Sequence, residues 1–115
     1  MSNRKTIRKV VVNITEEEKR NFILEYSILE KEVYIEGFGS WTYGIEVLKR
    51  EKTDLGTQRI EYRKIFDIFC TEQEAIDAVN LLADNTVTPV SCHDIVEQLI
   101  GTEEIEREEY EVIAV

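Results

Sequence analysis

Apolar and polar residues alternate with a period of two between residues 41 and 69. This alternation predicts two strands that each have one apolar face. The apolar positions of the first strand are Trp41, Tyr43, Ile45 and Val47. Those of the second strand are Ile60, Tyr62, Phe66 and Ile68. Between the two runs, Asp54 and Gly56 supply turn chemistry, so the pattern predicts a β-hairpin.

The preceding segment, NFILEYSILEKEVYIE, also alternates, but its parity changes. Even-numbered positions are apolar first, at Phe22, Leu24, Tyr26 and Ile28, and odd-numbered positions follow at Val33 and Ile35. A shift of one residue moves every side chain to the other face of a sheet. We therefore expect a bulge or tight turn between Leu29 and Glu32, and GFGS then leads into the next strand.

Two helices are predicted after the strands. TEQEAIDAVNLLADN carries apolar residues at helical spacing, and Thr71 with Glu74 forms a capping box at its start. A shorter second helix has an apolar stripe of Ile95, Val96, Leu99 and Ile100, and it is expected to end at Gly101. The predicted fold class is therefore α+β: a three-stranded antiparallel β-meander packed against two C-terminal helices, with the termini able to add further strands.

The two termini, TIRKVVVNIT and EYEVIAV, are rich in β-branched residues and are typical of strands. They have opposite charge, so they could pair with each other, within one chain or in a homodimer, or add to the sheet edge of a partner. Disorder is the alternative, because termini are often unordered. The predicted organisation is a single domain, 1–115, with a core of about 20–101, a basic N-terminal arm 1–19 and an acidic C-terminal tail 102–115.

The net charge of −10 disfavours contact with phosphate backbones, so nucleic-acid binding is not expected beyond the short basic arm. The sequence contains no apolar run of the roughly 20 residues that a membrane-spanning helix requires. MSNRKTIRK is not followed by a signal-peptide core, which favours a cytoplasmic protein without membrane association. In that compartment Cys70 and Cys92 are expected to be free thiols.

The segment VTPVSCHDIVEQLI contains the only histidine of the chain beside a cysteine and an aspartate. Consecutive helical residues point about 100° apart, so Cys92, His93 and Asp94 cannot converge on one metal ion. Capping explains the segment with fewer assumptions: Ser91 would be the N-cap, and Asp94 would return a hydrogen bond to it. No catalytic, cofactor-binding or metal-binding residue is predicted, and no cofactor. Cys92 and His93 remain candidates for reactivity or contact.

Three motifs stand out in their order along the chain: Tyr43-Gly44-Ile45, Asn85-Thr86-Val87-Thr88-Pro89 and Asp94-Ile95-Val96. In these motifs the chain resembles a family of small, uncharacterised bacterial proteins, found mostly in Firmicutes, with a domain of unknown function. It covers roughly residues 22 to 100 and implies a cytoplasmic bacterial domain, without a known activity, catalytic residue or cofactor.

The expected function is that of a non-enzymatic protein-interaction module or homodimer, which would use the terminal strands or a sheet edge. One alternative is an acidic mimic that inhibits a nucleic-acid-binding protein, suggested by the glutamate-rich tail. Another is a small-ligand binder or enzyme that uses an aromatic sheet face. The aromatic residues of that hypothesis are Tyr26, Trp41, Tyr43, Tyr62 and Phe66.

Overall fold

A computed structural model describes residues 2–14, 20–52, 56–101 and 105–114. The strands are β1 (Ser2–Ile14), β2 (Arg20–Ile35), β3 (Phe38–Lys52), β4 (Gln58–Phe69) and β5 (Arg107–Ala114). The helices are α1 (Glu72–Asp84) and α2 (Pro89–Ile100), which lie between β4 and β5 in the chain. The strands form one antiparallel sheet in the order β1-β2-β3-β4-β5. The predicted α+β class, with its antiparallel sheet and two helices, is confirmed.

The sheet has five strands rather than the predicted three, because both termini join it. β1 pairs with β2 along almost its whole length, and β5 pairs with β4. Within the chain the two terminal strands therefore lie at opposite edges and do not pair with each other. Sequence neighbours pair antiparallel at a low cost in loop-closure entropy. Helix α2 packs against β4, which brings the chain back beside that strand to start β5.

Helices α1 and α2 cover one face of the sheet, and the opposite face is called the open face below. The core of the covered face includes Leu24, Tyr26 and Ile28 of β2 together with Ile45 and Val47 of β3, all fully buried. These are the alternating positions that the sequence pattern predicts for the two strands. From the helices, the buried side chains include Ala75, Val79, Leu82, Cys92 and Val96.

The predicted apolar face of β4 is wrong for Ile60, Tyr62 and Phe66, whereas Ile68 does pack against the core. Ile65 pairs directly with Ile45 and is fully buried, so the odd-numbered residues of β4 before the bulge lie on the covered face. The even-numbered residues Ile60 and Tyr62 therefore face the open side, where they are only partly buried. The apolar alternation of the sequence favours the even-numbered face, but the pairing with β3 decides which face is buried.

A bulge in β4 lies opposite Gly44. Tyr43 pairs with Phe69 and Ile45 with Ile65, so three residues of β4 lie opposite the single residue Gly44. A Cβ at position 44 would lie 2.2 Å from the carbonyl oxygen of Ile65, so only glycine fits this close backbone approach.

The bulge expected in β2 is absent from the described strand. Its register with β3 is continuous from Phe22 to Ile35. Val33 and Ile35 simply lie on the open face, opposite to the side that carries Leu24 and Tyr26. From Tyr34 to Trp41 the hairpin is exposed, so the core no longer determines which side of it must be apolar.

The start of α1 agrees with its predicted cap, whereas the start of α2 does not. The amide of Glu74 donates to the Thr71 hydroxyl at 3.2 Å, as the capping box requires. Helix α2 has its N-cap at Thr88 rather than Ser91, because Pro89 occupies the first helical position, where its missing N–H costs nothing. Gly101 ends α2 in the left-handed conformation, as predicted.

Candidate functional site

Cys92 is part of the hydrophobic core. It lies at the fourth helical position of α2, and its amide bonds to the Thr88 carbonyl at 3.0 Å. The side chain is 0% exposed, and burial raises the pKa of its thiol to about 12. A thiol that is protonated and shielded from solvent is a poor nucleophile. Cys70, by contrast, is an exposed free thiol.

His93 connects α2 to β5. Its Nδ1 lies 2.8 Å from Oε2 of Glu108, and its Nε2 lies 2.9 Å from Oε2 of Glu97 on the next turn of the helix. Burial lowers the pKa of His93, but the hydrogen bonds and negative charges of Glu108 and Glu97 together outweigh it and raise the pKa overall. The histidine is thus a structural link between elements in the folded chain.

Arg63 completes the contact between α2 and the β4–β5 edge. Its Nε donates to the Pro89 carbonyl oxygen at 2.6 Å, and its Nη1 bonds to the Glu108 carboxylate. The guanidinium also lies over the Tyr110 ring, 4.4 Å from its centroid. Helix α2 and strands β4 and β5 are therefore held together by four side chains, those of Arg63, His93, Glu97 and Glu108.

No metal centre is formed in the part of the chain that the structure describes. There, no group of three or more histidine, cysteine and acidic residues is placed so that it could hold an ion. Cys92 points into the core while His93 turns toward β5, so the two adjacent side chains separate as helical geometry requires.

The aromatic residues do not form one face. Tyr26 is buried under the helices and donates its hydroxyl hydrogen to the Val87 carbonyl oxygen at 2.8 Å. Tyr62 and Phe66 lie on the open face, because they alternate with Ile65 of the covered face. Trp41 pairs with Glu32 in the outer part of the β2–β3 hairpin and is 40% exposed. The prediction that these aromatic residues share one face of the sheet is therefore wrong.

The open face carries a network of ion pairs that the sequence patterns did not reveal. Glu25 and Glu46 are buried there, Glu46 to 3% exposure, although no helix covers them. Arg4 contacts both carboxylates, Arg50 lies 3.4 Å from Glu25, and Lys64 lies 3.8 Å from Glu46. The sequence does contain acidic and basic residues at open-face positions of different strands. Predicting that they pair would have required the strand order and register.

Beside this network the open face has a cavity of about 310 Å³ over Gly44, called the Gly44 depression below. Its lining includes two apolar side chains, Leu29 and Phe66. The cationic side chains in the lining are those of Arg4, Lys31, Lys64 and Arg107.

The far end of the β2–β3 hairpin is apolar and exposed. The β2–β3 tip, as it is called below, comprises Tyr34, Ile35, Phe38 and Trp41. Phe38 is 77% exposed, Tyr34 69% and Ile35 67%. Large apolar side chains grouped in this way on a surface are typical of interaction sites, whereas isolated ones are not.

Together these observations define an α+β protein in which two helices cover one face of a five-stranded antiparallel sheet, with an open face and an apolar hairpin tip. A model of a family of unknown function (DUF6514) matches residues 5–102, so the chain belongs to that family. The match confirms the resemblance to a family of unknown function and extends it into β1. No curated protein and no solved structure matches the chain. Neither helix in the described ranges is long and apolar enough to cross a membrane.

Proposed function

We propose that this protein is a non-enzymatic protein-interaction module and that the β2–β3 tip binds the partner. The observation that carries the proposal is the exposure of four large apolar side chains at one end of the molecule. Burying them against a partner would remove apolar surface from water, which is the main favourable contribution to protein association.

The tip is apolar on both faces of a two-stranded ribbon. Ile35 and Phe38 are direct partners across the hairpin and lie on the open-face side. Tyr34 lies on the opposite side, and its hydroxyl bonds to Glu32, the direct cross-strand partner of Trp41. A flat surface would cover only one side of this ribbon. A partner that buries both sides must therefore grip the tip in a groove.

The charge around the tip favours a partner whose groove has basic edges. Glu32 and Glu36 lie within the hairpin end, and the whole chain carries a net charge of −10. Basic groups at the edges of the groove would pair with these acids and raise the association rate. A second copy of this chain would instead bring two acidic tips together.

The terminal strands are a second candidate for association, because β1 is basic and β5 acidic at opposite edges of the sheet. β5 of one copy could pair with β1 of the next, although such a head-to-tail contact would produce an open series rather than a closed dimer. Several of their charges are already engaged within the chain: Arg8 pairs with Asp84, and Glu108 with Arg63. This engagement also leaves less free charge for an acidic mimic.

The cytoplasm is the proposed location. Cys70 is an exposed free thiol, and such thiols persist in the reducing environment of the cytoplasm.

The experiment compares the full chain with two single variants. Phe38→Ser removes the most exposed apolar side chain of the tip, and Val11→Ser is the matched control, since Val11 is also exposed but lies at the other end of the sheet. Proteins retained from native lysate by the wild-type chain are purified, and their affinity for each variant is measured. We expect a loss of about tenfold or more for Phe38→Ser, from a lost hot-spot contact of more than about 1.4 kcal/mol.

Equal binding by Phe38→Ser and the wild-type chain would contradict the proposal. Light scattering on the purified protein separates the remaining cases. A dimer that becomes monomeric in Phe38→Ser would identify a second copy as the occupant of the tip. A concentration-dependent series of oligomers that is unchanged by Phe38→Ser would instead support the terminal strands.

A further inference from the structure

The Gly44 depression lies on one row that crosses the whole sheet. Arg4 pairs with Leu29, Leu29 pairs with Gly44, and Phe66 pairs with Arg107 on the far edge. Gly44 and the bulged residue Phe66 are adjacent, since a Cβ on Gly44 would lie 2.9 Å from the Phe66 Cα. The row therefore has an arginine at each end and an apolar centre.

The depression exists because the centre of the row lacks a side chain. The β4 backbone passes so close to Gly44 that no Cβ fits there, and Leu29 and Phe66 flank the gap. The resulting cavity of about 310 Å³ lies at the lower end of the range for small-molecule sites. Its floor is the surface of a β-sheet, which suits a flat apolar group.

Cationic side chains outnumber acidic ones in the lining of the cavity, although the protein is strongly acidic and although Arg4 and Lys64 also pair with the buried Glu46. Lys31, Lys64 and the two arginines of the row contribute four cationic side chains, whereas the acidic residues that line the cavity are Glu30 and Asp67. The guanidinium of Arg107 lies over the Phe66 ring at 4.9 Å and within 3.4 Å of Asp67. The planar N–H fork of an arginine matches a carboxylate or phosphate.

We propose that the Gly44 depression binds a small organic anion, with its flat apolar body against Leu29 and Phe66 and its carboxylate or phosphate among the surrounding cations. This binding site is independent of the interaction surface at the β2–β3 tip. The apolar floor supplies affinity through burial, and the cations select for negative charge.

The test is a titration of the ¹⁵N-labelled full chain, followed by the amide shifts of Leu29, Gly44 and Phe66. Benzoate and phenyl phosphate are the probes, so that carboxylate and phosphate are compared. Benzyl alcohol lacks the charge, and inorganic phosphate lacks the apolar body. We expect saturable shifts at these amides with either or both aromatic anions, and binding about tenfold weaker or worse for both comparators, since each loses one class of contact.

Two variants locate the site. Lys31→Gln removes one cation of the depression and should weaken anion binding by about threefold to tenfold. Lys52→Gln removes the same charge near a second cavity, lined by Val11, Ile23 and Arg50, at the other end of the sheet, and should leave the affinity unchanged. The proposal would be overturned by the absence of saturable shifts up to about 10 mM anion, which corresponds to negligible affinity. Shifts centred on Ile23 or on the tip, or equal effects of the two variants, would also overturn it.

Discussion

Nδ1 of His93 lies 2.8 Å from Oε2 of Glu108, and this contact joins helix α2 to the edge strand β5. Glu97 also contacts the imidazole, and Arg63 contacts the Glu108 carboxylate. The last strand of the sheet is thus attached to the helical layer through the only histidine of the chain. Because histidine side chains ordinarily titrate near neutrality, we expect the attachment to depend on pH.

The pH dependence of stability between about pH 5.5 and 8 should be set by His93, since no other side-chain type has an unperturbed pKa in that range. The two carboxylates raise the pKa of His93 in the folded state above its ordinary value of 6.5. A group whose pKa is higher in the folded state contributes its full stabilisation when the pH is below its pKa in the unfolded state. The contribution is lost as the pH rises through its pKa in the folded state.

Urea unfolding of the wild-type chain and of His93→Gln across this pH range tests the prediction. We expect the difference in free energy of unfolding to be at most about 1 kcal/mol, because the pair is partly exposed, and to be largest at the acidic end. The difference should shrink toward pH 8. A difference that does not vary with pH would show that the ion pairs of His93 do not contribute.

Cys92 should be protected from alkylation in the folded protein, whereas Cys70 should react readily. Burial raises the pKa of Cys92 to about 12 and excludes the reagent, so its modification requires unfolding. For an ordinary domain stability, labelling of Cys92 with iodoacetamide should be more than about a thousandfold slower than in urea-unfolded chain. Mass spectrometry of the two cysteine-containing peptides measures both rates. Faster labelling of Cys92 than of Cys70 would restore it as a reactive site.

Gly44→Ala should destabilise the fold by about 3 kcal/mol, because the new methyl group would overlap the Ile65 carbonyl and force the β4 bulge away. Gly39→Ala in the same strand is the control. There the nearest atom belongs to the exposed Tyr34 ring, which can move, so the loss should be below about 1 kcal/mol. Thermal unfolding of both variants measures the difference, and similar losses at the two positions would argue against the close approach.

Tyr26→Phe should lower the free energy of unfolding by about 2 kcal/mol, because it leaves the buried Val87 carbonyl oxygen without the phenol donor. Tyr34→Phe provides a matched control, since its hydroxyl bonds to Glu32 in contact with solvent, and little change is expected. Urea midpoints at constant m-value report both effects. An unchanged midpoint for Tyr26→Phe would mean that this hydrogen bond has no net effect on stability.

Patterns that depend on near neighbours in the chain could be predicted from the sequence. The alternation at Leu24, Tyr26 and Ile28 identifies the buried side of β2, because a strand places every second side chain on the same face. The capping chemistry of Thr71 and the glycine end of α2 at Gly101 are equally local, since each involves only the adjacent helical turn. The existence of the central strands and of both helices therefore followed from local patterns, whereas the buried face of β4 and the N-cap of α2 did not.

The candidate sites could be predicted only in part. Cys92 and His93 attract notice in the sequence because their side chains are reactive, but their surroundings are set by β4 and β5, far away in the chain. The Gly44 depression could not be predicted, since it requires a bulge in β4 to meet a glycine of β3. The aromatic residues were assigned to one face because period-two alternation does not say which side of each strand the helices cover.

By itself, the sequence determined the type and approximate extent of the central elements and the strand tendency of both termini. Only the tertiary structure decided that β1 and β5 occupy opposite edges, that Ile65 rather than Tyr62 faces the helices, and that Glu46 is buried among cations. The physical reason is the distance along the chain over which each kind of interaction acts. Dihedral preferences, side-chain period and caps act over a few residues, whereas register, burial and charge pairing arise between strands that meet only when the whole sheet has formed.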